Sequence, residues 1–312
     1  MVPLLALELR LAARLLEERR HSFAPQEPEP DHGIERLEHA AHCTYWRVTT
    51  RENITTIFGR SPEHRIADPA DPRRIFQWLP EISFDDKGSV VVFDYKAEDL
   101  VHVPHEIWET NRHNLDGTLR FANRYLKRVK YGNQRPVFPY RDAPSPYDPQ
   151  SGGAINFFFE LVLDYGEHDA ENPAPTETGE WLHRPDPFSD YRAGFEIRTQ
   201  RLLRRALLFH RFEELNGGMP TLVRSIDFRY FLSDNPARER ETELEFLEHI
   251  FQTSYVWDAA DGHYRKRSLP PLTFEYQPLA WSHEVKTLRQ EDLAHAPAGL
   301  AGNYQFTDLY GE

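Results

Sequence analysis

The sequence predicts a mainly β protein, built of antiparallel hairpins and meanders with an N-terminal helix and one or two short helices. Three observations predict it. Val91, Phe93 and Tyr95 alternate with Val92 and Asp94 after a short loop, Asp85-Asp86-Lys87-Gly88, that joins two apolar runs within residues 73–95. Similar endings recur at Val129-Lys130-Tyr131, Leu163-Asp164-Tyr165, Phe228-Arg229-Tyr230 and Phe274-Glu275-Tyr276. Each places two large residues on one face, with the residue between them, usually charged, facing away, as in a half-buried strand. The 24 prolines exceed the usual share of about 5 % and suit a loop-rich β-protein better than a helical bundle.

Taken in order, residues 4–20 read as a helix, with Leu4, Leu7, Leu11 and Leu15 on one face. It ends before a stiff acidic linker, Pro25-Gln26-Glu27-Pro28-Glu29-Pro30. This opening, residues 1–40, is unlike the rest; a packed helix and a start codon assigned too early both fit it. The β-region is expected from about Tyr45, with residues 45–50 and 54–58 forming a hairpin about Asn53. After Pro-Asp punctuation at 67–72 comes the central hairpin. Residues 96–118 read as a polar excursion with a short helix, residues 121–131 as a strand, and 136–149 as irregular surface chain. Residues 155–165 are the most hydrophobic strand, and Phe157-Phe158-Phe159 is expected to be buried on both sides. A proline-rich loop with Trp181 follows. Residues 195–212 fit a long strand or a helix; the strand is preferred because a helix would spread Arg201, Arg204 and Arg205 round its circumference. Residues 221–232 follow a Gly217-Gly218 turn. Residues 239–253 are expected to be helical, with Leu244, Leu247, His249, Ile250 and Phe251 on the apolar side.

The bulk numbers exclude several classes. The formal charge of −13 repels phosphate backbones and anionic lipid, which argues against a nucleic-acid partner. Cys43 stands alone, so the chain has neither an intrachain disulfide framework nor a cysteine-based zinc site. No stretch approaches the ~20 apolar residues of a membrane span. Glu8, Arg10 and Arg14 interrupt the apolar run at 4–16, which therefore fails as a signal-peptide core, and nothing reads as a Sec export signal. The hydrophobic fraction of 39 % and mean hydropathy of −0.67 are low for a compact enzyme.

No catalytic constellation emerges. His-Glu-x-x-His, Gly-x-Ser-x-Gly, Walker and Gly-x-Gly-x-x-Gly patterns are all missing from the sequence. Cys43 near His39 and His42 is a weak nucleophile candidate. His39/His42 and His102/His105 are spaced i, i+3 but lack a third ligand. Glu241-Thr242-Glu243-Leu244-Glu245 holds the Glu-x-Glu that ADP-ribosyltransferases use. Their Ser-Thr-Ser strand does not occur, and helical residues two apart diverge, so that site is rejected. Asp68, Asp71, Asp85 and Asp86 read as turn residues capping local amides. The arginines of residues 198–205 are expected on a wet strand face, paired with carboxylates. No catalytic, cofactor-binding or metal residue is assigned, and no enzyme is expected.

A resemblance adds to this. Trp46-Arg47-Val48-Thr49, Ile57-Phe58-Gly59, Arg65-Ile66-Ala67-Asp68-Pro69 and Phe76-Gln77-Trp78-Leu79-Pro80 resemble the N-terminal domain of SpvB-type proteins and the B subunit (TcB, TcdB-like) of insecticidal toxin complexes. So do residues 124–133, residues 159–169 and, most closely, residues 181–212. The resemblance covers residue 45 to the end. It implies a β-rich domain over 41–300 forming part of a curved, cocoon-like β-shell. Residues 303–312 (Tyr-Gln-x-x-Asp-x-x-Gly-Glu) then resemble the start of an FG-GAP propeller blade, so the chain reads as a fragment with a truncated unit at 301–312. The function implied is non-enzymatic. In such complexes the B subunit joins a C subunit to enclose a toxic segment and docks on a pore-forming A subunit, outside the cell and without a Sec signal. In SpvB-like proteins the ADP-ribosyltransferase is a separate C-terminal domain. The competing reading is a free-standing carbohydrate- or protein-binding β-module displaying Trp181, Trp257 and Trp281.

Overall fold

The computed structural model describes residues 33–39, 43–105, 107–109, 112, 121–137, 155–232 and 245–276. The expected N-terminal helix, the Pro/Glu linker and the propeller-like tail lie outside these residues. Described elements up to Phe274 belong to one compact unit.

That unit is organised by one antiparallel sheet of twelve strands. In spatial order its path runs β1 (Gly33–His39), β2 (Cys43–Thr49), β3 (Thr55–Phe58), β6 (Pro80–Phe84), β7 (Val90–Ala97), β8 (Arg124–Asn133) and β9 (Phe157–Asp164). It continues through β12 (Arg205–His210), β13 (Thr221–Leu232), β14 (Glu245–Asp258) and β15 (His263–Ser268), while β16 (Leu272–Thr273) also pairs with β14. Two small sheets interrupt the meander: β4 (Arg65–Asp68) with β5 (Asp71–Trp78), and β10 (Phe188–Asp190) with β11 (Ile197–Thr199). A single helical turn, α1 (Glu213–Asn216), precedes β13.

Local chemistry explains the turns. Asp85 Oδ1 accepts from the backbone N–H of Lys87 (2.9 Å) and of Ser89 (2.8 Å), and Gly88 adopts φ +87°, closing the β6–β7 hairpin. Asp68 likewise accepts from Ala70 N–H and Asp71 from Arg73 N–H. The first arm of the expected central hairpin breaks at Leu79. Residues 71–78 belong to the small β4–β5 sheet, and only 80–84 join the main one.

Cross-strand register assembles the core. Ile57 faces Ile82, which faces Val92, and this row packs with Phe84, Val90 and Phe157. A second row, Val162, Leu207, Phe209 and Leu222, is wholly buried beneath Tyr255 and Tyr264. At about 25 cal/mol per Å² of apolar surface, such rows supply the main drive for sheet formation.

Three expectations are corrected here. From Glu245 onward the segment expected to be helical is the long strand β14. Its pairing with β13 skips Glu248, because Arg229 faces His249 while Tyr230 faces Leu247. That extra residue breaks the twofold alternation and gives Leu247 and Ile250 a spacing of three, which imitates a helix. Residues 195–212 form two short strands, β11 and β12, rather than one long one, with residues 200–204 between them outside any ladder. In β9, Phe157 is buried but Phe158 and Phe159 are half-exposed, stacked on Phe212 and Tyr131 respectively.

Gly59 shows how tightly the small sheet is seated. It adopts φ +61°, and a Cβ there would lie 2.5 Å from Trp78 Cδ1. Gly262, at φ +66°, has nothing within 4 Å of the same position. Gly262→Ala is therefore expected to cost only the conformational share, about 1 kcal/mol. Gly59→Ala adds a clash with a fixed indole and is expected to cost about 3 kcal/mol. Urea unfolding of the two variants side by side measures the difference.

Candidate functional site

The chain leaves the main sheet at Asp164 and returns at Arg205. These two residues face one another in register and are joined by a 2.6 Å ion pair. The forty residues between them lie across β7 and β8 and are held there by a seam of buried charges and aromatic rings. Trp181 is its centre, 1 % exposed. Its Nε1–H donates to Asp99 Oδ1 (2.8 Å), and its ring meets Tyr125 and Tyr165 edge-on. Two cations lie over the indole, Arg201 at 4.3 Å and Lys96 at 4.4 Å.

Arg201 has no exposed side-chain surface. It donates to Glu98 Oε1 (2.6 and 2.9 Å), to Asp99 Oδ1 and to the carbonyl of Val101. Burial pushes the Glu98 carboxyl above its usual range, against the hydrogen bonds from Arg201 and Tyr125. Among the described residues, Glu98 Oε2 and both amide atoms of the fully buried Gln200 have no hydrogen-bond partner.

A second knot lies on β8. The Lys127 ammonium donates to Glu167 Oε1 (2.5 Å), the Leu163 carbonyl and His168 Nε2 (2.8 Å). His168 Nδ1 lies 2.8 Å from the Ala174 carbonyl, which can only accept. Nδ1 therefore carries the proton, and neutral Nε2 accepts from Lys127. Burial, then the Lys127 charge, hold the imidazole pKa down, as this tautomer requires.

A third knot joins Glu196 to Arg112, Ser189 Oγ and Tyr191 Oη, while Glu109 takes Arg112 and Arg198. Burial raises the Glu196 carboxyl, but the hydrogen bonds from Arg112, Ser189 and Tyr191 outweigh it and bring the pKa down to about 2, from 4.5. A lowered carboxylate pKa contributes stability that is complete above 4.5 and lost as pH falls toward 2. Thermal unfolding across that window should show wild type losing stability on the order of 2 kcal/mol more than Glu196→Gln.

The sequence candidates fall out as follows. Arg198, Arg201, Arg204 and Arg205 each hold a carboxylate (Glu109, Glu98, Glu245 and Asp164), as expected, but they do not share a wet strand face: Arg201 is fully buried, Arg198 and Arg205 are largely buried, and Arg204 is partly exposed. His102 and His105 are both exposed, and His102 contacts the Trp181 carbonyl and Glu180. His39 and Cys43 face one another across the β1–β2 ladder. His42, Glu241, Glu243 and Trp281 lie outside the described residues. Glu245 starts strand β14, with its carboxylate on Arg204. Trp181 is an anchor and unavailable to a surface ligand, which removes one of the three residues of the expected tryptophan groove. The signal that could have revealed the seam is the order of charge: acids at 98, 99, 109, 164 and 167 precede the cations at 198, 201 and 205 that pair with some of them.

Residues 17–212 match the family described as Salmonella virulence plasmid 65kDa B protein, SpvB. This chain belongs to the SpvB family. The mono(ADP-ribosyl)transferase SpvB of Salmonella typhimurium is 35 % identical over 197 residues, 62 % of this SpvB-family chain and 31 % of the relative. The structure of the N-terminal domain of effector protein SpvB from S. typhimurium strain LT2 aligns with a TM-score of 0.56 at 27 % identity, covering 80 % of this chain and 68 % of that one. The crystal structure of TcdB2–TccC3 aligns at 0.62 and 30 % identity, over 81 % and 12 %. A chain of the Photorhabdus luminescens Tc holotoxin pore aligns at 0.60 and 31 %, over 79 % and 11 %. The chain is thus an SpvB/TcB-like domain, mainly β and antiparallel, as the resemblance implied.

The relatives correct one expectation. No enzyme was expected, yet the curated SpvB relatives carry an enzyme's name, mono(ADP-ribosyl)transferase. Motif reading could not supply it, because this chain spans about a third of their length.

Proposed function

We propose that this chain is a wall segment of a toxin-complex shell, the part of an SpvB/TcB-type virulence protein that helps enclose a toxic effector. One observation carries this reading: chains of TcdB2–TccC3 and of a Tc holotoxin pore align with about four-fifths of this chain, at TM-scores of 0.62 and 0.60. The seam supports it physically. A wall needs a sheet that does not collapse, and buried ion pairs with an indole between cations fix the 165–204 excursion to one face without relying on a distant layer. The partners are then a C-type subunit that completes the enclosure and an A-type pore-forming subunit that receives it, and the site of action is outside the producing cell.

The test is isolation of the tagged chain from its native cells and culture medium, followed by electron microscopy. Support would be a hollow particle in which this sheet lines a cavity, co-isolated with C-type and A-type toxin subunits. A monodisperse chain free of such subunits, in cells and medium alike, would sink the proposal.

A further inference from the structure

A cavity of about 320 Å³ opens where β1 and β2 of the main sheet meet β5 of the small one. Two indoles form its corner: Trp46 and Trp78 stand edge to face, 5.9 Å apart at 86°. Trp78 is immobilised, since its Nε1–H donates to the Thr44 carbonyl (2.8 Å) and Gly59 lies directly against its ring. Ile75 and Pro72 extend the apolar wall. Both indoles keep part of their surface exposed.

The polar side is cationic. Arg73 is committed to Asp71, with contacts of 2.8 and 3.0 Å. Arg36 is different. It sits opposite Trp46 in the β1–β2 ladder, and its guanidinium reaches Thr44 Oγ1 at 3.4 Å, beyond the usual range for an N–H···O bond. Among the described residues it has no carboxylate partner, although Glu38 shares its face of the ladder opposite Thr44. The arginines of the seam each hold a carboxylate. In a chain of net charge −13, the long-range field does not draw anions in, so an anion site here must depend on this local donor fork.

We infer that this cavity binds a carboxylated sugar residue, a uronic or sialic acid ring. The volume lies at the lower end of ligand pockets, about 300–1,000 Å³, and suits one ring rather than a folded partner. A pyranose offers an apolar C–H face to an indole and hydroxyls to the rim, and its carboxylate matches the fork of Arg36. The tryptophans concerned are not the three of the groove expected from the sequence, and the site stands whether or not the chain assembles into a shell.

The test uses the full chain on a glycan array, then titration calorimetry with N-acetylneuraminic acid, glucuronic acid, glucose and a Glu-rich peptide. Carboxylated sugars are expected to bind and glucose is not. Arg36→Gln should weaken binding about tenfold or more, with unfolding unchanged because Arg36 is exposed. Trp46→Phe, which keeps an aromatic ring in β2, should weaken it less. The inference is overturned if no carboxylated sugar binds, if glucose binds equally, if Arg36→Gln binds as wild type does, or if the peptide binds in preference.

Discussion

Trp181→Ala is expected to lower stability by about 3–5 kcal/mol, the range for removing a buried tryptophan. The deletion does more than leave a void. Asp99 loses its indole donor, and Arg201 and Lys96 lose the ring beneath their charges. Because the excursion and the sheet meet at this residue, the loss should appear first as detachment of residues 165–204. Limited proteolysis should cut that segment in the variant under conditions where wild type resists, and urea unfolding gives the total. Trp181→Phe should recover part of the loss, since it keeps apolar volume but no donor. A decrease below about 1 kcal/mol for the alanine variant would mean that the seam does not anchor the excursion.

Arg201→Met should have an effect of similar size, about 3–5 kcal/mol, through a different route: it leaves the Glu98 carboxylate buried without its cation. The pH dependence separates the two routes. Burial already raises the Glu98 pKa above 4.5, and Arg201 is the main group pulling it back. Without Arg201 it rises further. An acid whose folded pKa is raised contributes stability that is complete below its unfolded pKa and lost as pH climbs through the folded value. The deficit of Arg201→Met should therefore be small in mild acid and large near neutrality. Adding Glu98→Gln should remove most of that pH dependence. A deficit that does not change with pH would assign the effect to lost packing on Trp181 instead.

Much of the sheet could be read from residues alone, because its turns are encoded locally. Asp85 and Gly88 specify their loop by hydrogen bonding and positive φ, and Val91, Phe93 and Tyr95 announce their strand by alternation. Reading failed where one residue disturbed the period. Glu248 is a bulge, and the leucine and isoleucine around it take on helical spacing. It failed again between β11 and β12, where Gln200 and Arg201 leave the ladder for partners about 75 and 103 residues away. The seam itself was half legible. The carboxylate pairing of the arginines followed from charge balance, but not their burial, because the partners come from strands and loops whose proximity only the fold creates. A lone Trp181 in a polar, proline-rich stretch carries no local mark of being interior.

The order of the main sheet has a consequence for how the chain is made. Apart from the two small inserted sheets, every strand's neighbour in space is its neighbour in sequence, from β1 through β15. A nascent chain can therefore lay down each hairpin on the last as it leaves the ribosome, without holding an unpaired strand in wait for a distant one. The seam contacts must wait longer: Trp181 meets Asp99, Arg198 meets Glu109 and Arg201 meets Glu98 only after some eighty to a hundred further residues of synthesis, so the 165–204 excursion sets later than the strands it covers.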